Sequence, residues 1–243
     1  MRNDLPRTLE ITFEIIIDRI RKMPEVDRNI ALGALSWVFH NSNSGLRPLK
    51  IDELLHLLNT REGDSDIDDN LLPPARRVLE TCQSLIVQDS ETGDVKVAHY
   101  TVQEFLQSCQ DLWPVPNLAR TCVTYLSFDI FNKICRTDDE MDHRRTKYKA
   151  SCYVAYFWGI YARQAEDDSL LQKIIIEFLT HRNKRDSMLQ LKAYEDNRRV
   201  HFTKNQSILH IIAGNGLTSL CDLFVRGEST SYNRCVLLID MPY

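Results

Sequence analysis

Apolar residues recur at helical spacing along most of the chain. Leu9, Phe13, Ile16, Ile17 and Ile20 share one face and predict a helix over 5–22, with Asp4 and Pro6 suited to its first turn and Pro24 ending it. Ile30, Ala34, Leu35, Val38 and Phe39 predict a second helix over 27–39, followed by a polar loop at 41–45. Leu54, Leu55 and Leu58 predict a third over 51–59, with Asp52 and Glu53 in its favourable first turn. An acidic loop at 61–69 precedes a fourth helix over 74–84. The period then changes. Leu85-Ile86-Val87 and Val95-Lys96-Val97 flank the polar, glycine-bearing turn 89–94, which is the pattern of a β-hairpin. A further helix starts at His99.

Beyond the linker Trp113-Pro114-Val115-Pro116 the pattern is wholly helical. It predicts one helix over 118–135, a charged loop at 136–147, a stripe formed by Tyr148, Cys152, Ala155, Tyr156, Gly159 and Ile160, and another formed by Leu170, Leu171, Ile174, Phe178 and Leu179. The expected fold is therefore mainly α. Three helices and a two-stranded wing make a winged-helix domain over 26–110, followed by an α-helical spacer over 111–205. Residues 207–227 suggest the start of an ankyrin array over 206–243. Leu209-His210 stands where that repeat carries L-H, Ala213 falls in the first helix, and Gly216 allows the turn between helices. Leu220 and Leu223 would face a neighbouring repeat, and Gly227 would end the pair. One repeat cannot bury its own face. The chain is thus expected to be a fragment of a longer protein or the product of a truncated reading frame.

Composition narrows the function. Thirty basic and 34 acidic residues give a net charge of −4, which provides no bulk attraction to nucleic acid or anionic lipid. No apolar run approaches the ~18 residues of a membrane span, and no secretory leader pattern follows Met1. The seven cysteines lie far apart with no C-x-x-C pair, which points to free thiols in a reducing compartment and to a cytoplasmic protein.

Catalytic motifs are missing from the sequence. It has no Gly-Lys pair and hence no phosphate-cradling P-loop, no G-x-S-x-G elbow and no H-E-x-x-H. Gly214-Asn215-Gly216 lacks the third glycine of a dinucleotide loop. Asp64, Asp66 and Asp68 have calcium-loop spacing, but Asp69 takes the glycine position and Ala75 the position of the bidentate glutamate. No metal site is expected, and Cys122 and Cys152 read as core. The basic stretch 182–204, with Tyr194 and Phe202 between its charges, reads as a solvated face or linker, or as a strand-stacking surface for single-stranded nucleic acid. Winged helices also bind DNA, but helix 74–84 has only Arg76 and Arg77 as cations, beside Glu80. The remaining candidate is His99. It reads either as a helix-start histidine satisfied by backbone or as a donor to a phosphate brought by another domain.

Several segments resemble one family. Leu5-Pro6-Arg7-Thr8-Leu9 with Glu14–Ile20 is similar to the segment that leaves the NACHT nucleotide-binding domain of fungal NOD-like STAND NTPases. Residues 31–39 and 48–54 resemble their inositol-deacylase-type winged helix. Val97-Ala98-His99-Tyr100-Thr101-Val102-Gln103-Glu104-Phe105-Leu106 resembles the pattern V-x-H-x-S-x-x-E-[FY]-L, with Thr101 in place of the serine. The resemblance implies that residues 1–25 form the helix leaving an absent NACHT domain. It also implies that the winged helix restrains that domain in cis, and that His99 senses the phosphate of ATP or ADP held there. The C-terminal repeats would bind a protein partner and release a signalling switch used in fungal non-self recognition. On its own the chain would carry no cofactor, hydrolyse nothing, and contact neither nucleic acid nor membrane.

Overall fold

The structure, a computed structural model, describes residues 7–197 and 206–226. It is mainly helical with one small antiparallel sheet, and its contacts divide it into two units, residues 1–59 with 68–114 and residues 60–67 with 115–243.

In the first unit α1 (Arg7–Arg21) ends at the Pro24 turn, and α2 (Glu25–Asn43) follows as its central element. Ala31, Ala34, Leu35, Trp37 and Val38 of α2 are buried, as are Phe13, Ile17 and Ile20 of α1. Leu9 and Ile16, predicted on the inner face of α1, are respectively exposed and half-buried. Helix α2 extends four residues beyond the predicted end at Phe39; within that extension Asn41 is buried and its amide donates to the Arg47 carbonyl (3.0 Å). Strand β1 (Leu49–Lys50) leads into α3 (Ile51–Asn59), where Glu53 reaches back to the Lys50 amide (2.9 Å) and holds Arg47 through both oxygens (2.6 and 2.9 Å). This satisfies an otherwise orphaned N-terminal N–H. Leu54 and Leu57 are the buried leucines of α3, beside buried Ile51, Glu53 and His56, with Leu55 and Leu58 half-buried.

Helix α4 (Ala75–Thr81) is shorter than the predicted 74–84. Gln83 and Ser84 both have positive φ (51° and 64°), which breaks the helix and turns the chain into β2 (Ile86–Gln88). Strand β2 pairs with β3 (Asp94–Val97) as the expected hairpin. The chain also adds β1 on the other side, so the sheet order is β1-β3-β2, all antiparallel. Two residues show no alternation, so β1 has no signature in the sequence. Helix α5 (Tyr100–Leu106) buries Val102, Phe105 and Leu106, with the Phe105 ring 5.3 Å from Phe13 of α1.

Among its described residues the second unit contains helices and no strand: α6 (Val115–Leu126), a 3-10 turn at Asp129–Asn132, α7 (Asp138–Lys147), α8 (Ser151–Gln164), α9 (Ser169–Thr180), α10 (Arg182–Asn197), α11 (Ile208–Gly214) and α12 (Thr218–Arg226). Helix α8 is buried on most of its surface through Tyr153, Val154, Trp158, Tyr161 and Ala162, rather than along the narrow stripe predicted; Tyr156 of that stripe is exposed. Its aromatic core continues through Tyr125, Phe128, Phe131, Tyr148 and Phe178.

Three predictions fail in this unit. The helix over 118–135 ends at Leu126. Carbonyls beyond that point are taken by side chains: Ser187 donates to Phe131 O (2.8 Å), Arg144 to Lys133 O (2.6 Å), and the Gln190 amide pairs with both backbone groups of Cys135 (2.8 and 2.7 Å). The charged loop at 136–147 is instead α7. Thr137 caps it through Glu140 N (3.2 Å), with acids in its first turn and Arg144, Arg145 and Lys147 in its last. The stretch 182–204 is a packed helix as far as Asn197, with Met188, Leu191 and Tyr194 buried; Phe202 lies outside the described residues.

Helices α11 and α12 are the helix pair expected at 207–227. Gly216 (φ 68°) ends α11 with two bonds, Gly216 N–H to Ala213 O (3.0 Å) and Leu217 N–H to Ile212 O (3.1 Å). This double closure satisfies the last carbonyls of the helix and needs a residue that tolerates positive φ. Glu166 accepts from the Thr218 hydroxyl (2.8 Å) and Ser219 N–H (3.1 Å), so its carboxylate sits at the start of α12. Gly227 and the expected second repeat lie outside the described residues.

Candidate functional site

The candidate His99 stands where the sheet of the first unit ends and α5 begins. The hairpin that carries it is shaped by Asp89, whose Oδ1 accepts from Glu91 N–H (2.9 Å) and Thr92 N–H (3.0 Å); those bonds hold its carboxyl below the usual range. Gly93 (φ 74°) closes the turn, and Lys50 donates from Nζ to Thr92 O (2.9 Å). Ala98 N–H then bonds Leu85 O (3.0 Å), which fixes the chain one residue before the histidine.

His99 is itself the cap of α5. Its backbone is extended, and Nδ1 accepts from Thr101 N–H (3.3 Å) and lies 2.9 Å from the Thr101 hydroxyl. With Nδ1 accepting, the ring proton sits on Nε2, which has no partner among the described residues. The ring is exposed and lies 4.3 Å from that of Tyr100, itself 63% exposed. Thr101 is buried beneath them, and Glu104 is half-buried on the same helix. The sequence-expected set His99, Thr101 and Glu104 thus comprises one exposed imidazole, the hydroxyl that holds it, and a helix-surface carboxylate.

The other candidates are structurally engaged. Arg76 pairs with Glu80 (2.6 Å) and Arg77 with Asp27 (2.7 Å), so both cations of α4 already have carboxylate partners. On the wing, Asp94 pairs with Lys50 (3.4 Å). Within the acidic loop, Asp64 accepts from Arg61 N–H (2.7 Å), Asp66 faces Lys147 (3.8 Å), and Asp68 caps the 3-10 turn Asp69–Leu71. These carboxylates serve as turn and ion-pair groups rather than converging. Among the described residues no cluster of three or more His, Cys, Asp or Glu could hold a metal ion. Tyr194 is buried, with its hydroxyl donating to Asp142 (2.9 Å), so it offers no face for stacking a base. Cys122 and Cys152 are buried core residues, and burial raises the Cys122 thiol. No helix among the described residues is long and apolar enough to cross a membrane.

One group escaped sequence reasoning. Arg144, in the stretch expected to be a charged loop, is only 8% exposed. The available signal was its spacing: Met141 and Tyr148 lie three positions before and four after it; Met141 and Arg144 are the buried residues of α7, and buried Tyr148 caps its C-terminus.

Comparison of the chain with protein-family models, with curated proteins and with solved structures gives no match.

Proposed function

We propose that this chain is a non-catalytic regulatory and protein-interaction arm of a STAND-type nucleotide switch. In this reading the first unit is the winged helix that rests against a NACHT domain in cis. The α11–α12 pair opens an ankyrin array that binds a protein partner in the cytoplasm. The observation that carries the reading is the exposed His99 imidazole, oriented by Thr101 at the end of β3 with Nε2–H unengaged by the described residues. A fixed, outward imidazole donor suits contact with a phosphate held by another domain. ATP or ADP would belong to that domain, since this chain contains no P-loop.

The test is the full transcript across the locus, followed by nucleotide retention in the full-length protein. An in-frame upstream P-loop domain supports the reading, and a transcript confined to residues 1–243 refutes it. His99→Asn keeps a capping side chain and removes the imidazole, whereas His99→Ala removes both. Loss of bound nucleotide in both variants, with thermal stability retained in His99→Asn, marks a phosphate contact. Wild-type retention in His99→Asn leaves only the cap. DNA binding by the winged helix is the alternative, disfavoured by the carboxylate partners of Arg76 and Arg77. A mobility shift that weakens with salt would revive it.

A further inference from the structure

The second unit contains a cleft of about 1000 Å³ between the 130–136 segment, α7 and the start of α10. Its walls carry four cations, Lys133, Arg136, Arg144 and Lys147, against two carboxylates, Asp139 and Glu140, with His143 beside them. On a chain with a net charge of −4 this is a local reversal of sign.

Arg144 makes the cleft more than a charged surface. The residue is more than nine-tenths buried. Its Nη2 donates to Lys133 O (2.6 Å), and its guanidinium carbon lies 5.7 Å from the centre of the Phe131 ring. Among the described residues no carboxylate lies within ion-pair distance of it, and its buried Nη1 finds no hydrogen-bond partner. Burial pulls its pKa down from the usual guanidinium value. A buried cation is costly unless an anion or a full set of acceptors compensates it. Lys147 is spoken for in part by Asp66 (3.8 Å), but Lys133 and Arg136 are exposed at the rim.

We infer that this cleft binds a small phosphate-bearing anion, with Arg144 as the fixed charge in its floor and Lys133 and Arg136 as the mobile cations that close on the phosphate oxygens. A phosphate monoester carries nearly two negative charges and three acceptor oxygens, which suits several converging cations better than a single carboxylate does. Ile130 and Ile134 form an apolar wall alongside, so the ligand class is a phosphate ester with a nonpolar body rather than phosphate alone. The site is independent of the nucleotide-switch reading, because every residue in it belongs to the 115–243 segment of the second unit.

The experiment is calorimetric titration of the whole 243-residue chain at low salt with inorganic pyrophosphate, AMP and citrate. Saturable binding of AMP, tighter than both pyrophosphate and citrate and weakened by salt, is expected. The rim variant Lys133→Ala/Arg136→Ala removes no buried group and should keep its thermal stability while losing about tenfold or more in affinity. Lys96→Ala, in the other unit, should leave binding unchanged. Absence of saturable heat overturns the inference. Equal affinity for citrate, or unchanged affinity in the rim variant, overturns it as non-specific ion binding.

Discussion

Replacing Gly159 of α8 by alanine would set a methyl group 2.0 Å from Asn215 Oδ1, 2.5 Å from its Cγ and 2.8 Å from its Cβ. In an isolated helix the same change stabilises by about 1 kcal/mol. Rotating the Asn215 side chain relieves the first two contacts, but it breaks the bond from Nδ2 to Ile211 O (2.7 Å), at a cost of about 1 kcal/mol. The Cβ contact cannot be relieved by rotation, so the end of α11 must shift, and overpacking of that kind costs about 1–3 kcal/mol. The propensity gain and the lost bond roughly cancel. The net expectation is a loss of about 1–3 kcal/mol in the stability of the second unit. Calorimetric unfolding of the whole chain measures it, and faster amide exchange in α11 locates it. Combining Gly159→Ala with Asn215→Gly removes the obstructing Cβ, so the double variant should recover more than about 1 kcal/mol of the additive loss. A Gly159→Ala chain that is more stable than wild type would refute the reasoning, because helix propensity would then act alone and α11 would not pack against α8.

Three further outcomes are expected. Arg21 donates to Asp111 from Nη2 (2.6 Å) and Nε (3.1 Å) and holds its carboxyl below the ordinary value of 3.8. The folded pKa is depressed, so this contribution to stability is complete above the ordinary value and fades as pH falls below it. The difference in Tm between wild type and Asp111→Asn should therefore shrink as pH falls below about 4, and a constant difference would exclude the pair as its source. Burial pushes the Cys82 thiol up to about 12 and raises Cys122 as well, so neither should react with iodoacetamide near pH 8 until the chain unfolds; rapid labelling detected by peptide mass would contradict their burial. Thr137→Ala should destabilise α7 by about 1 kcal/mol through loss of its cap, measured by urea unfolding, and an unchanged midpoint would show that the acidic first turn suffices.

The legibility of the sequence varied with the kind of signal. Helix α3 and the β2–β3 hairpin stand where their periodicity and turn residues predict, because those signals are local. Helix α7 was equally local in its cap and charge order, yet its polarity suggested a loop; the apolar period there is carried by Met141 and Tyr148 around an arginine. Tyr194 shows a similar error. Its stretch reads as a solvated face or linker amid basic residues, but the inner face of α10 buries it with its hydroxyl donating to the Asp142 carboxylate. The helix start at His99 was legible from its place between the hairpin and an apolar period, whereas its capping geometry and exposure depended on how the chain turns after β3.

By itself, then, the sequence determined the helical class, the position of most elements, the hairpin, the turn at Gly216 and the absence of a P-loop. Each of these follows from residues within a few positions of one another. Only the tertiary structure decided that Leu49-Lys50 is a strand, that residues beyond Leu126 leave the helix to bond the side chains of α7 and α10, and that Gly159 meets Asn215. It also decided that Arg144 is buried with no carboxylate at ion-pair distance among the described residues. Those outcomes share one physical reason. Each depends on a group from a distant part of the chain that competes for a backbone bond, a volume or a charge, and no local pattern records that competition.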